Sequence, residues 1–405
     1  MSRSSLARSL TAWLARKHAE MLELLEAAVN IDSGSADKDG VDRVARLFRE
    51  RLQASGLEVT THPMSGHGDC ISAELPPGDA SAGPHVLLLG HMDTVFPAGT
   101  AVRRPFRTEG PTAYGPGVAD MKAGLVMNVF VTLAFAELGG NPNPIRLLLT
   151  GDEEIASPAS RELTKALAKG ARAAFNSEPG RPTGNVVTGR KGALFVDFEV
   201  SGVAAHSGVN PEKGASAIAA IARKILDLHA LADSRVGVSA NVGTVRGGMS
   251  VNTVADFAAG QLDVRFPGDV DPEALRTKIR EIVEREAIAC TCGRVTREGM
   301  FLPLTPSAAG EHLLKAYQAS AASLGFAVEG EFTGGSADSG LTASVGVPTL
   351  CAVGPVGGNV HTEREYCQID SLVPRAQALA LTLLDLPAAA GFRNRFRTED
   401  EATER

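Results

Sequence analysis

Residues 84–96, PHVLLLGHMDTVF, decide how the rest of the chain is read. Val86 to Leu89 form an apolar run bounded by Pro84 and Gly90, which reads as a buried strand of a parallel sheet as much as a helical fragment. The run stops on His91-Met92-Asp93. In extended backbone, residues two apart share a face, so His91 and Asp93 emerge together where Gly90 has loosened the chain. An imidazole beside a carboxylate serves as a base with its orienter, or as a metal ligand whose tautomer the acid holds. Alone, the pair reads more readily as a hydrogen-bonded core histidine, and the remaining sequence has to decide.

Working outward, Met21, Leu24, Leu25, Ala28 and Val29 recur at helical spacing, and Val41, Val44, Phe48 and Leu52 make a second amphipathic helix ending near Gly56. Strands are expected at 57–61 and 70–75, a long helix from about Lys122 to Leu138, and an apolar strand from Ile145 to Thr150. Such alternation is an α/β signature. Near Gly189 the pattern changes to strand (193–200), helix (212–231), strands (237–245 and 254–266), helix (271–287) and a closing strand that ends near Gly299. That βαββαβ order resembles a ferredoxin-like unit. Helix 311–323, strand 348–353 and helix 370–386 then resume the first pattern. The expected architecture is a discontinuous α/β domain, 1–188 and 301–405, interrupted by an α+β insertion at 189–300. The charged tail after about residue 390 is expected to fray.

A chain of 405 residues exceeds the size at which single cores stop growing, in line with two domains. With 44% hydrophobic and 21% charged residues it has the composition of a soluble globular protein. Its net charge of −7 offers no electrostatic reason to bind nucleic acid or an anionic membrane. No apolar run is expected to approach membrane-spanning length. Leu6, Leu10, Trp13 and Leu14 fall on one stripe, so the Ser- and Arg-containing N-terminus is read as a folded helix of a cytoplasmic protein instead of a transit peptide. Five scattered cysteines argue against a disulfide framework, and Cys290-Thr291-Cys292 is expected to pack.

The same residue types recur at the ends of the α/β domain's apolar strands. Leu147 to Thr150 run into Asp152-Glu153-Glu154, Ala173 to Phe175 into Glu178, and Thr349 to Val353 into a Gly-rich loop holding His361. The loop Gly115 to Asp120 adds an acid before the long helix. Ligands of open α/β sheets gather outside the carboxyl ends of strands, so these groups are expected to converge. Two divalent ions bring four positive charges; Asp120, Glu154, Glu178 and a hydroxide balance them, with His91 and His361 as neutral ligands. Imidazole plus carboxylate suits zinc, with cobalt or manganese as substitutes. Neighbours in extended chain point opposite ways, so Glu153 and Glu154 are not expected to ligate one metal, and one is left to act as a base. For Asp120 or Asp152 singly, a helix N-cap explains the acid equally well. Gly184 and Gly189 lack the following Lys-Ser/Thr of a phosphate loop, Gly115-Pro116-Gly117 lacks a dinucleotide fingerprint's third glycine, and no Gly-x-Ser-x-Gly elbow occurs.

The ordered set GHMDTVF (90–96), GPGVADMKAG (115–124), TGDEEIASPASR (150–161), SEPGRP (177–182), AAHSG (204–208), GGSADSG (334–340) and GGNVHTEREY (357–366) resembles the glutamate carboxypeptidase, acetylornithine deacetylase and aminoacylase family of di-zinc exopeptidases. Its bacterial folate-cleaving branch looks closest. The resemblance implies that Asp120 bridges two zinc ions, with His91 and Glu178 on one and Glu154 and His361 on the other. It further implies that Asp93 orients His91, that Glu153 is the general base, and that the Asp120–Met121 peptide is cis. The insertion would be a lid and homodimerisation domain, with His206 reaching a partner's site to stabilise the oxyanion. Asn252, Arg265 and Gly335 of the Gly-rich loop would hold the substrate. The expected activity is hydrolysis of the amide next to a free carboxylate in a small N-acyl amino acid or short peptide. A deacylase of N-acetyl or N-carbamoyl amino acids and a non-catalytic binding protein are the alternatives. Ser336-Ala337 stand where relatives often have Gly-Thr, and Met121 where an Asp is common, departures that bear on substrate preference.

Overall fold

The computed structural model describes residues 2–78 and 83–386, so the tail expected to fray lies outside the described residues. The described chain divides into two compact units, one drawn from Met1–Gly189, Pro306–Phe332 and Leu341–Arg405, the other from Arg190–Thr305 and Thr333–Gly340.

The first unit is built on an eight-stranded sheet in the order Val59–His62, Cys70–Leu75, Ile145–Thr150, Val86–His91, Ala173–Asn176, Thr349–Cys351, Val186–Arg190, Gly330–Thr333. Its middle is parallel: Val86–His91 runs alongside Ile145–Thr150 and Ala173–Asn176, and Thr349–Cys351 alongside Ala173–Asn176. Every residue of Val86–His91 is buried. Val86 and Leu88 pack into one apolar cluster, Leu87 and Leu89 into another on the opposite face, which is why the run is continuous and not alternating. The chain leaves Val86–His91 to form the neighbour on one side and then crosses to form the neighbour on the other. A crevice at such a reversal is where open α/β sheets hold ligands.

The helix Ala123–Leu138 is buried on all sides from Ala123 to Phe135, packed against the sheet and the helices Arg3–Arg16 and Leu372–Asp385. Each large apolar side chain so buried contributes about 1.5–3 kcal/mol. Together with the preceding turn, Val118–Leu138 spans 21 residues, long and apolar enough to cross a membrane. That corrects the expectation that no run reaches this length; full burial inside the unit is the reason for its composition. Leu6, Leu10, Trp13 and Leu14 are buried as their stripe predicts. A small antiparallel sheet, Gly357–Gly358, Tyr366–Gln368, Thr112–Tyr114 and Arg107–Glu109, pairs Tyr366 with Tyr114 and so sets the loop after Tyr114 beside the Gly-rich loop of His361.

The second unit is an antiparallel sheet in the order Ser239–Gly247, Phe257–Phe266, Gly192–Ser201, Cys292–Phe301, with the helices Ala217–His229 and Pro272–Glu284 packed over its own apolar cluster. This is the expected ferredoxin-like order. The first helix starts at Ala217 and not at 212, because Ser216 accepts from Ala219 N and caps it there, after a separate turn at Pro211–Lys213. Asp271 caps the second through Glu273 N and Ala274 N, with Pro272 at its first position. The Gly-rich stretch Thr333–Gly340 joins this unit and not the α/β segment around it, held by Arg190 Nη1, which donates to the carbonyls of Gly335 and Ser336. Cys290 and Cys292 are exposed free thiols and only Thr291 is buried, so the expectation that this triplet packs fails for both cysteines.

Candidate metal centre

The parallel strands deliver their carboxyl ends to one edge, and the acids and histidines follow from there. His91, the last residue of its strand, is 1% exposed. Its Nδ1 lies 3.0 Å from the carbonyl oxygen of Asp93. Its Nε2 lies 3.2 Å from Asp120 Oδ1 and 3.8 Å from both Glu153 Oε2 and Glu178 Oε1. The other oxygen of Asp120 is 3.2 Å from His361 Nε2, which is also 3.2 Å from Glu154 Oε2. Asp120 therefore presents one carboxylate oxygen to each histidine. The capping alternative fails for Asp120, whose carboxylate faces the cluster; the peptide bond to Met121 is cis. Nor does it hold for Asp152: Ser160 is the N-cap of the helix Arg161–Ala168, and Asp152 Oδ2 accepts from Ala159 N and Ser160 N in the turn ahead of it.

The expectation that Glu153 and Glu154 diverge because the chain is extended is wrong in its premise. Glu153–Ile155 is one 3-10 turn, closed by Ala156 N donating to Glu153 O at 2.8 Å, with Ala156 at φ 69°. Both carboxylates reach the cluster, Glu153 toward His91 and Glu154 toward His361. The turn is held by Asp93, which is fully buried. Asp93 Oδ1 accepts from Glu153 N at 3.1 Å, and Oδ2 accepts from Glu154 N at 3.1 Å and from the Ser35 hydroxyl at 2.6 Å. One carboxylate thus links the histidine strand to both glutamates.

Among the buried charged residues that escaped the sequence reading are Glu365 and Lys122, on either side of the loop that carries Asp120. Glu365 accepts from Gly117 N, Ala119 N and Asp120 N at 2.9–3.0 Å, clamping the loop that carries Asp120. Burial, aided by Asp120's charge, raises its pKa to about 7 against the pull of those three N–H groups. Lys122 donates to the carbonyl of Ile31 at 2.9 Å, and burial lowers its pKa to about 7. In HTEREY, Glu363 and Glu365 look alike; only the fold exposes one and buries the other.

The electrostatics call for cations. Burial works to lower the His91 pKa, but Glu153, Asp120, Asp93 and Glu178 outweigh it and hold it well above the usual histidine value. Hydrogen bonds to Asp120 and Glu154 raise His361 to about 10, and burial beside Asp120 raises Glu154. Ligand atoms of His91, Glu153 and Glu178 lie within 4.8 Å of one another, as do those of His91, Asp120 and Glu154. Buried carboxylates this close repel unless positive charge sits among them. Imidazole and carboxylate donors fit divalent zinc, cobalt or manganese. His361, at φ 62°, is held in a backbone conformation costly for a non-glycine residue, on the order of 1–3 kcal/mol.

The remaining expected residues lie in the second unit. His206 is exposed, its backbone bridged to Thr253, and Gly208 N donates to its Nδ1 at 3.1 Å. Asn252, also exposed, accepts at its carbonyl from Ser207 N and at its side chain from the Ser250 hydroxyl. These two residues therefore adjoin. Arg265 lies at the end of Phe257–Phe266, tied to Asp263 and to Ser336 beside Gly335.

Residues 87–385 match peptidase family M20/M25/M40. The chain belongs to this family. It is 28% identical over 377 residues to carboxypeptidase G2 of Pseudomonas sp. (strain RS-16), covering 91% of this chain and 89% of that protein. It is 30% identical over 382 residues to succinyl-diaminopimelate desuccinylase of Rhodospirillum centenum, covering 86% and 91%. An M20 family metallo-carboxypeptidase structure from Sulfolobus solfataricus shares the fold at a TM-score of 0.75 and 18% identity, over 90% of this chain and 98% of that one. As an M20 peptidase, the chain is a metal-dependent hydrolase of peptide or amide bonds, with a catalytic α/β domain and an inserted lid domain.

Proposed function

We propose that this M20 enzyme is a di-zinc exopeptidase that cleaves the amide bond next to a free carboxylate, releasing C-terminal glutamate or a similar amino acid from N-acyl, peptidyl or folyl substrates. The observation that carries the reading is Asp120, with one oxygen 3.2 Å from each of two histidines, one at a strand end and one in a distant loop. In this reading Asp120 would serve both ions, with His91 and Glu178 holding one and Glu154 and His361 the other, and cobalt or manganese could replace zinc. Two bound ions would acidify a shared water and polarise the scissile carbonyl. Glu153 takes the water's proton and passes it to the leaving amine. Asp93 fixes His91 and the turn that aims Glu153. His206 of a second copy stabilises the oxyanion: with Nδ1 accepting from Gly208 N, Nε2 carries the proton needed. Removing such a donor costs roughly 3–4 kcal/mol. Asn252, Arg265 and Gly335 hold the substrate, the guanidinium gripping its carboxylate.

Homodimerisation through the inserted unit is part of this proposal, supported by exposed Val245, Met249 and Val251 at and beyond the end of edge strand Ser239–Gly247. So is a cytoplasmic location. The acidic net charge favours a small-molecule substrate over nucleic acid or membrane. A second reading, a deacylase of N-acyl amino acids with the same centre and a different acyl pocket, is favoured by the 30% identity to a desuccinylase.

The test is metal content per chain on protein purified without chelator, with glutamate release from N-acyl glutamates followed before and after chelation and zinc return. We expect close to two ions, and turnover that disappears and comes back. Glu153→Ala should keep its metal and lose most turnover; activity within tenfold of the parent would refute the base assignment. Faster cleavage of N-acetyl or N-succinyl amino acids than of N-acyl glutamates would favour the second reading.

A further inference from the structure

Arg265 is a solvent-reaching arginine whose guanidinium is nevertheless held from three sides within the inserted unit. Its side chain is 26% exposed. Nε donates to Asp263 Oδ1 at 2.8 Å, and Nη1 donates to the Ser336 hydroxyl at 3.1 Å. The guanidinium carbon lies 5.1 Å from the centroid of the Phe195 ring. Local sheet geometry explains two of the three. Asp263 and Arg265 are two apart on one strand, hence on one face, and Phe195 is Asp263's partner on the adjacent strand Gly192–Ser201.

The third contact comes from the distant Gly-rich loop. Ser336 donates its single proton to the carbonyl of Lys191 at 2.8 Å, so its oxygen is oriented to accept from Arg265. Arg190 Nη1 fixes the same loop through the carbonyls of Gly335 and Ser336. A guanidinium carries five N–H bonds in a rigid fork. Asp263 and Ser336 occupy one on Nε and one on Nη1, and among the described residues Nη2 has no partner. The edge bearing Nη2 is what remains for a carboxylate.

We infer that Ser336 is a positioning and specificity-determining residue: its hydroxyl, with Asp263 and Phe195, fixes the Arg265 guanidinium so that only the Nη2-bearing edge meets a substrate carboxylate. This rests on the reading that Arg265 binds that carboxylate. A glycine or alanine at 336 leaves the arginine with Asp263 as its only hydrogen-bond anchor beside the Phe195 ring, and discrimination between a free acid and its neutral amide falls.

The experiment uses the full-length, metal-loaded chain carrying Glu153→Ala to prevent turnover. N-benzoyl-L-glutamate and its α-carboxamide are titrated by calorimetry, and the acid-over-amide ratio of affinities is the readout. Ser336→Ala should lower that ratio about tenfold, the scale of one hydrogen bond to a charged group. Ser336→Thr, which keeps the hydroxyl at a half-buried site, should restore it to within about twofold. Arg265→Ala separates the two claims. A ratio that falls with Arg265→Ala but stays unchanged with Ser336→Ala overturns the Ser336 inference alone. A ratio unmoved by Arg265→Ala, or no preference in the parent, overturns the carboxylate reading and the inference with it. An equal loss of acid and amide affinity in Ser336→Ala would mark a merely structural role and count against the inference.

Discussion

Glu365 accepts three backbone N–H groups from the loop of Asp120, although it touches neither histidine. A glutamine in its place has one accepting oxygen and turns two N–H groups toward donors, leaving buried groups unpaired at about 1–3 kcal/mol each. Glu365→Gln should therefore loosen Asp120 and weaken metal binding by roughly 10–100-fold, the usual effect of losing a group that orients a ligand. Competition with a calibrated chelator measures this; unchanged metal affinity would remove Glu365 from the centre. At this scale His91, Asp93, Asp120, Glu154, Glu178 and His361 were legible because each closes a strand or loop with a chemical group that strand ends do not need. Glu365 was not, because its role depends on backbone groups set beside it when Tyr366 pairs with Tyr114, and Lys122 was not, because its partner, the Ile31 carbonyl, lies far away in the chain.

The helix Ala123–Leu138 packs tightly against the backbone that leads into Glu178. At Gly124 a Cβ would stand 1.9 Å from the carbonyl oxygen of Ser177, immediately before Glu178. Alanine is ordinarily the better helix residue by about 1 kcal/mol, so the expected sign depends on tertiary contact. Gly124→Ala should instead destabilise by about 1–3 kcal/mol, as overpacking does, and shift the Ser177-Glu178 backbone. Equilibrium denaturation gives the sign, and a variant more stable than the parent would show that the helix can back away. The expected bounds, about Lys122 to Leu138, match this helix to within a residue, since a long, continuously apolar run after a Gly-rich approach has a strong signature. The Glu153–Ile155 turn was misread as extended because three residues carry no period and Ala156's positive φ has no glycine to announce it.

For the whole molecule, the two units bury separate apolar clusters. That of the second includes Leu194, Phe198, Ile221, Leu262, Phe266, Ile279 and Val283, all at most 2% exposed. An excised segment of residues 190–305 falls within ordinary domain size and has its own core, so it should fold alone and melt cooperatively. Circular dichroism and a thermal scan decide it; a chain without a sigmoidal transition would mean that this core depends on the rest of the protein.

What the sequence determined by itself is what local patterning encodes: the strand of residues 86–91, the alternation around it, the ferredoxin-like insertion, and the acids and histidines at strand ends. These follow from side-chain period and from the rule that parallel strands align their carboxyl ends. Tertiary structure alone decided that Glu153 and Glu154 would share one turn held by Asp93, that Glu365 would clamp the Asp120 loop, and that Ser336 would reach Arg265. Each joins residues far apart in the chain through one or two hydrogen bonds. Such contacts leave no periodic trace in a sequence, because their partners are chosen only once the sheets have set the loops side by side.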